Sequence, residues 1–269
     1  MQTLTEIREL LAARGIRPKH RLGQNFLHDH NQLRRIVAAG AVEPGDLVLE
    51  VGPGTGTLTE TLVEAGAEVV CAELDEDMAA IVESRLGDRI TLIRGDCLDR
   101  QRRLAPAILD AIADRPFRLV ANLPYQAATP LMMDLLVRRP NCLAQVALIQ
   151  KEVADRLAAG PGGREYGPIS VLTAALGSIE RVATVPPGCF WPAPKVTSAV
   201  VAITPNPSHG VADPEAFGDF VGELFRTRRK QLGATLARMG LTPPEGLDPT
   251  ARPESLSPRE LLDLHRRTI

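Results

Sequence analysis

Aromatic residues are scarce in this 269-residue chain, with one Trp, two Tyr and six Phe. Cysteine is scarce too: Cys71, Cys97, Cys142 and Cys189 stand far apart, with no C-x-x-C pair. That spacing argues against a disulfide framework and a thiolate zinc site, and it suits a reducing cytoplasm. No apolar run reaches the roughly 18 residues of a membrane-spanning helix. The first twenty residues, MQTLTEIRELLAARGIRPKH, mix acids with short apolar groups and contain no signal-peptide core. A cytoplasmic location without a membrane partner is the expectation. Internal repeats, low-complexity tracts, Ser-His-Asp patterns and nucleophile elbows are all missing. The histidines of HDH (28–30) have no recognisable third ligand, so no metal is expected.

Hydrophobic content of 44% and charged content of 24% are ordinary for a globular protein. The length allows one large domain and a smaller one. Net charge is −2, but it is unevenly spread. Residues 1–40 hold seven Lys/Arg against three Asp/Glu, and RTRRK (226–230) packs four basic groups into five positions. A basic arm and a basic knot on a near-neutral chain are compatible with a polyanionic partner. A solvated helix face is the alternative reading.

From about residue 46, apolar strands alternate with helical patterns: LVLEVG, TLTETLVEAG, EVVCAEL, EDMAAIVESRLG, ITLIRGD, FRLVANL and QVALIQ. Such alternation predicts βαβ units and an α/β, doubly wound, mostly parallel sheet. ERVATV and SAVVAIT read as two later strands that finish it. PNPSHGVADP reads as a linker after Thr204. Beyond it, residues 214–240 carry apolar groups at helical spacing, and SPRELLDLHRRT opens on a Ser257–Glu260 capping signal. The expected organisation is a Rossmann-like domain over 1–205, with 1–45 as a basic arm and helical lead-in, and a small all-α domain over 206–269.

LEVGPGTGTLTE follows a predicted strand and opens a predicted helix. Gly52, Gly54 and Gly56 permit a tight turn and close approach of a ligand to the backbone. A dinucleotide-binding G-x-G-x-x-G fails, because position 57 is Thr. The G-x-G-x-G form is typical of S-adenosylmethionine (SAM) sites. The second predicted strand ends at Glu73, where an acid can accept both hydroxyls of a ribose. The third ends at Asp96, able to accept from an adenine amino group, and the fourth at Asn122. Each acid alone could be a helix cap, but polar groups and glycines at four successive strand ends line one crevice.

The fourth strand stops at NLPY (122–125), which could be a simple turn. A chemical reading goes further. The exocyclic amine of adenine is a poor nucleophile, because its lone pair is conjugated into the ring. The Asn122 side-chain oxygen and the Leu123 carbonyl could hold the amine hydrogens, with Pro124 fixing the backbone. Tyr125 offers a flat face for the base, a contribution of roughly 1–3 kcal/mol. A sulfonium methyl donor is already activated, so alignment is the main requirement.

NLPY resembles the N/D-P-P-Y/F motif of SAM-dependent amino-methyltransferases. From about residue 17 to 265 the chain resembles the rRNA adenine N6,N6-dimethyltransferase family, in its bacterial small-subunit branch. The resemblance is carried by LGQNFL (22–27), EVGPGTGTLT (50–59), QKEVADRL (150–157), YGPISVL (166–172), FWPAPKV (190–196) and FRTRRKQL (225–232). It implies that Asn25 and Leu27 close over SAM, and that Phe190 stacks on the target base opposite Tyr125. Read from the residues alone, LGQNFL looks like the start of a helix and Phe190 like a core aromatic. The implied partner is 16S rRNA within a small ribosomal subunit or its assembly intermediate. The implied reaction dimethylates two adjacent adenosines of a hairpin near the 3′ end, where bases are unstacked and reachable.

Candidate phosphate contacts are Arg17, Lys19 and Arg21 in the arm, Lys195, and Arg226, Arg228, Arg229 and Lys230 in the knot. Three stretches depart from the family pattern: KVTS (195–198) for K-V-D-S, LGATL (232–236) for R-N-S-L, and QAATP (126–130) for N-I-S-T-P. Two other functions stay open, a large-subunit rRNA methyltransferase of the macrolide-resistance type and a non-catalytic ribosome-assembly or transcription factor. With no dimer signature in the sequence, a monomer is expected.

Overall fold

The alternation of apolar runs and amphipathic stretches produces a wound sheet in the computed structural model, which describes residues 1–268. In chain order the elements are α1 (Leu4–Ala13), β1 (Phe26–Leu27), α2 (His30–Ala39), β2 (Leu47–Val51), α3 (Thr57–Glu64), β3 (Glu68–Glu73) and α4 (Glu76–Leu86). They continue as β4 (Ile90–Arg94), α5 (Pro106–Ile112), β5 (Phe117–Asn122), α6 (Tyr125–Arg138), β6 (Cys142–Gln150), α7 (Lys151–Leu157) and α8 (Pro168–Leu176). The last are β7 (Gly177–Val185), β8 (Phe190–Trp191), β9 (Ser198–Pro205), α9 (Pro214–Phe225), α10 (Leu232–Arg238) and α11 (Pro258–Thr268).

Seven strands form one sheet in the order β4-β3-β2-β5-β6-β9-β7. Neighbours from β4 to β6 are parallel, and β9 lies antiparallel to both β6 and β7. The expected α/β, mostly parallel, doubly wound sheet is therefore present, finished by the two later strands. All five residues of β2 are buried, as a central strand covered on both faces requires. Successive side chains point to opposite faces. Leu47, Leu49 and Val51 join a core with Leu119, Ala121 and the helices α5, α6 and α8. Val48 joins Val120, Cys71 and the apolar stripes of α2 and α3 on the other face.

The later helices extend the first core: Phe217, Phe220, Val221 and Leu224 of α9 belong to the same buried cluster as Leu172 and Leu176 of α8. The Ser257–Glu260 signal is a reciprocal cap, with Glu260 N donating to Ser257 Oγ at 3.2 Å and Ser257 N donating to Glu260 Oε2 at 2.8 Å. No helix among the described residues is long and apolar enough to cross a membrane.

Two readings are refined. The stretch 214–240, with its apolar groups at helical spacing, is not one helix: α9 stops at Phe225 and α10 begins at Leu232. Between them the Arg228 side chain is drawn to Glu254 and to carbonyls of another loop, and Leu232 N donates to Ala251 O at 2.8 Å. Within the LGATL departure, packing favours glycine at position 233. Its N donates to Pro249 O at 2.9 Å, and a Cβ there would sit 3.0 Å from Pro249 Cβ. LGQNFL does not start a helix either: a 3-10 turn (His20–Leu22) leads into β1, and α2 begins only at His30.

Candidate active site

The order of the parallel strands reverses between β2 and β5, because the chain runs outward through β3 and β4 and then returns. Ligands of open α/β sheets bind at such a switch point, outside the strand C-termini. Here it opens into a cavity of about 280 Å³. Gly52, Gly54, Glu73, Asp96, Asn122, Leu123, Pro124, Tyr125, Asn25, Leu27 and Phe190 all line it. Thus residues expected at the cofactor site and at the target base share one space.

The glycine loop is required by two constraints at once. Gly52 and Gly54 have φ of 73° and 59°, in the left-handed region. A Cβ on Gly52 would meet Pro124 Cγ at 3.0 Å, and one on Gly54 would meet Phe26 Cε1 at 3.0 Å. Gly56 lies behind them as the N-cap of α3. The cradle is closed by Glu73, whose Oε2 accepts from Gly54 N at 3.1 Å and whose Oε1 accepts from Asp75 N at 2.9 Å. Burial pushes the Glu73 carboxyl up, and the backbone N–H groups oppose that shift. Asp96 is exposed at the rim, its Oδ1 accepting from Leu98 N at 3.0 Å. A cleared backbone cradle beside an oriented carboxylate, with a second carboxylate at the rim, fits a nucleoside that carries a charged tail.

Asn122 ends β5 and donates from Nδ2 to Asn25 O at 3.2 Å. That bond fixes the orientation of the amide and leaves Oδ1 as its free acceptor among the described residues. Pro124 stands at φ −56° as the N-cap of α6, and Tyr125 opens that helix half-buried, with its phenol pushed up by burial. Phe190 is buried, yet it lines the cavity. It reaches the site through a small antiparallel ribbon in which Leu27 pairs with Phe190 and Phe26 with Trp191. The QNFL and FWPAP segments are therefore neighbours, across more than 160 residues of sequence.

Some cavity residues had no signal in the sequence. Arg102 lines the rim at φ 63°, in a turn closed by Asp99, and its Nη2 donates to Gln126 O at 2.9 Å. Pro130, inside α6, has no N–H to give the carbonyl four residues earlier, so Gln126 O is open to this arginine. Leu74 follows Glu73 along the cavity wall and is 53% exposed. Glu50 is buried against the same cavity, accepts from Cys71 Sγ at 3.8 Å, and is pushed up to about 8 by burial.

The basic candidates divide into free and committed groups. Arg17, Arg21, Lys195, Arg229 and Lys230 are exposed, and Arg21 lines the cavity. Arg226 is exposed beside Glu223, at 2.9 Å. Lys19 is committed, 2.7 Å from both Asp75 and Asp77. So is Arg228, which pairs with Glu254 at 2.8 Å and donates to the carbonyls of Arg164 and Tyr166, tying the GPGGREYG loop to the knot. In HDH, Asp29 caps α2 through Asn31 N and Gln32 N, and His30 Nε2 lies 3.0 Å from Gln2 O.

Comparison with known proteins agrees with this geometry. The family model described as ribosomal RNA adenine dimethylase matches residues 15–247. The ribosomal RNA small subunit methyltransferase A of Deinococcus radiodurans is 42% identical over 235 residues, covering 87% of this chain and 77% of that protein. Its namesake in Bifidobacterium longum is 39% identical, covering 96% of this chain and 91% of that protein. Among solved structures, a dimethyladenosine transferase from Plasmodium falciparum matches with a TM-score of 0.73 at 24% identity, over 89% of this chain and 95% of that one. The 23S rRNA methyltransferase ErmE matches with a TM-score of 0.66, also at 24% identity, over 91% of this chain and 99% of that one. These two likenesses concern the fold. The chain belongs to the ribosomal RNA adenine dimethylase family, whose members are SAM-dependent rRNA methyltransferases.

Proposed function

We propose that this protein dimethylates the N6 amines of two adjacent adenosines in the hairpin near the 3′ end of 16S rRNA, within an assembling small subunit. The observation that carries the reading is the single cavity in which the glycine cradle and Glu73 meet Asn122, Tyr125 and Phe190. The choice of small-subunit RNA draws on relatives of that name at 39–42% identity across most of the chain.

SAM supplies a methyl group on a sulfonium, which needs no further activation. Gly52 and Gly54 would let the backbone approach it, with Gly56 behind them turning the chain into α3; Glu73 would take the ribose hydroxyls and Asp96 the adenine amine, and Asn25 and Leu27 would cover it. Asn122 Oδ1 and the Leu123 carbonyl accept the hydrogens of the target amine and favour a tetrahedral nitrogen as attack begins. Tyr125 and Phe190 hold the unstacked base between flat faces. With an amide at 122 where a carboxylate could act as base, the proton leaves the nitrogen after methylation. No metal takes part.

Outside the cavity, Arg17, Arg21, Lys195, Arg226, Arg229 and Lys230 contact phosphates, and residues 206–269 act as the RNA-gripping unit beside the SAM domain of 1–205. The protein works as a cytoplasmic monomer. Transfer of labelled methyl from SAM tests the substrate, using small subunits from cells that lack the modification and protein-free large-subunit RNA. Label on small subunits alone is expected. Label on large-subunit RNA alone moves the protein to the resistance-type branch, and label on neither, with SAM bound, makes it a binding factor.

A further inference from the structure

The segment from Lys19 to Leu27 crosses the cavity between two attachments. At its far end Asn25 O accepts from Asn122 Nδ2 at 3.2 Å, and Phe26 and Leu27 pair with β8. Its near end is tied to the turn between β3 and α4. Lys19 Nζ lies 2.7 Å from Asp75 Oδ1 and 2.7 Å from Asp77 Oδ2. Gln24 Nε2 donates to Asp75 Oδ2 at 2.6 Å, while Gln24 Oε1 accepts from Lys19 N at 2.7 Å. Both oxygens of Asp75 thus accept from one strap of chain, Oδ1 also capping α4 through Asp77 N at 3.0 Å, and the side chain is only 1% exposed.

Asp75 also touches the cofactor cradle. Its N–H donates to Glu73 Oε1 at 2.9 Å, and the other oxygen of Glu73 accepts from Gly54 N at 3.1 Å. A continuous set of hydrogen bonds therefore runs from Lys19 and Gln24 through Asp75 to Glu73 and the glycine loop. We propose that Lys19, Gln24 and Asp75 form a latch that positions residues 20–27 over the SAM site, so that Lys19 is a positioning residue for the cofactor and not a phosphate contact.

Three features support this. The Lys19 ammonium lies between two carboxylates, where a phosphate would be repelled by Asp75 and Asp77. Burial pushes the Asp75 carboxyl up, but the bonds from Lys19 and Gln24 outweigh it and hold the group below the usual range, so the latch stays charged at neutral pH. The hydrogen bonds are charge-assisted and partly shielded, unlike a free surface pair.

The inference rests on SAM as the cofactor, and the test separates the two. SAM affinity and RNA affinity are measured by calorimetry and filter binding for the wild type, Lys19→Ala and Lys19→Arg. Trp191, the lone tryptophan, stacks on Phe26 of the strap at 6.4 Å, so its emission reports strap closure. Lys19→Ala should weaken SAM by roughly ten-fold, the scale of a lost charge-assisted bond. It should alter the Trp191 response to SAM, and leave RNA affinity and its salt dependence unchanged. Lys19→Arg should restore SAM affinity to within about three-fold, since guanidinium can serve both carboxylates. Asp77→Asn, at an exposed position, should give a smaller loss in the same direction. An unchanged SAM affinity overturns the proposal, whether RNA binding falls, as for a phosphate contact, or stays the same, as for an idle ion pair. If the wild type itself fails to bind SAM, the cofactor reading fails first.

Discussion

The crevice at the strand ends and the basic surface around it are built on different principles. In the crevice the groups at the strand ends are held in place: Glu73 takes two backbone N–H groups, Asn122 donates to Asn25 O, and Asp75 takes Lys19 and Gln24. On the surface Arg17, Lys195, Arg229 and Lys230 extend into solvent. Fixed groups suit a reaction that depends on alignment, whereas loose cations suit an RNA backbone whose phosphates need charge more than register. Lys19 and Arg228 show that charge in the sequence does not decide to which region a residue belongs. Both look like surface cations in the chain, and both are tied into the interior by carboxylates and carbonyls.

If this contrast holds, substitutions in the two regions should differ in size and in kind. The largest effect is expected at Asn122. Replacing it with Ala should cut methyl transfer roughly 10²–10³-fold, the scale of losing one group aimed at the reacting centre, with SAM affinity changed only a few-fold. Single-turnover transfer measured beside SAM binding checks this, and full activity would break the contrast from the crevice side. Tyr125→Ala comes next. Loss of one stacking face should lower kcat/KM for RNA by about 5- to 150-fold, from roughly 1–3 kcal/mol. Tyr125→Phe, which keeps the face, should stay close to wild type in the same steady-state assay.

On the surface, Arg229→Ala with Lys230→Ala should leave kcat at saturating RNA unchanged. It should weaken RNA binding and reduce the slope of log affinity against log salt by about two, one per lost phosphate contact. A fall in kcat would place these residues with the crevice instead.

The smallest effect concerns the buried acid of the crevice. Burial raises Glu50 to about 8, so the folded chain keeps a proton that the unfolded chain loses near pH 4.5. Its contribution to stability is therefore full below about pH 4.5 and declines as pH rises toward 8. Glu50→Gln should flatten that decline, with a gain on the order of 5 °C in melting temperature at pH 8 and little change at pH 4.5. Melting curves across this range decide it, and parallel pH profiles for the two proteins would contradict the assignment.

The crevice was legible in the sequence because strands announce their own ends. Buried runs such as LVLEV and FRLVA have to stop somewhere, and the next residue along, Gly52 or Asn122, faces the ligand edge of the sheet. Local pattern also carried the two late strands and the Ser257–Glu260 cap. Contacts between distant short segments were not legible. A two-residue strand has no period, so nothing in QNFL or FWPAP marks their pairing, and only family resemblance linked both to the site. The partners of Lys19 lie 56 and 58 residues away on another turn. The break between α9 and α10 was hidden for a similar reason, since helical spacing continues across a knot whose geometry is set by Glu254 and Pro249. Arg102 could be placed only once Pro130 was seen to leave Gln126 O without its helical donor.

The central claim is that this cavity delivers methyl groups to the exocyclic nitrogen of adenine. Nucleoside analysis by mass spectrometry of small-subunit RNA, methylated by the purified protein and digested to completion, tests it most directly. The account predicts N6,N6-dimethyladenosine as the accumulated product, at two neighbouring positions. Methyl groups on a ring nitrogen, on carbon or on a ribose hydroxyl would contradict it, because Asn122 and Leu123 would then be holding the wrong atoms.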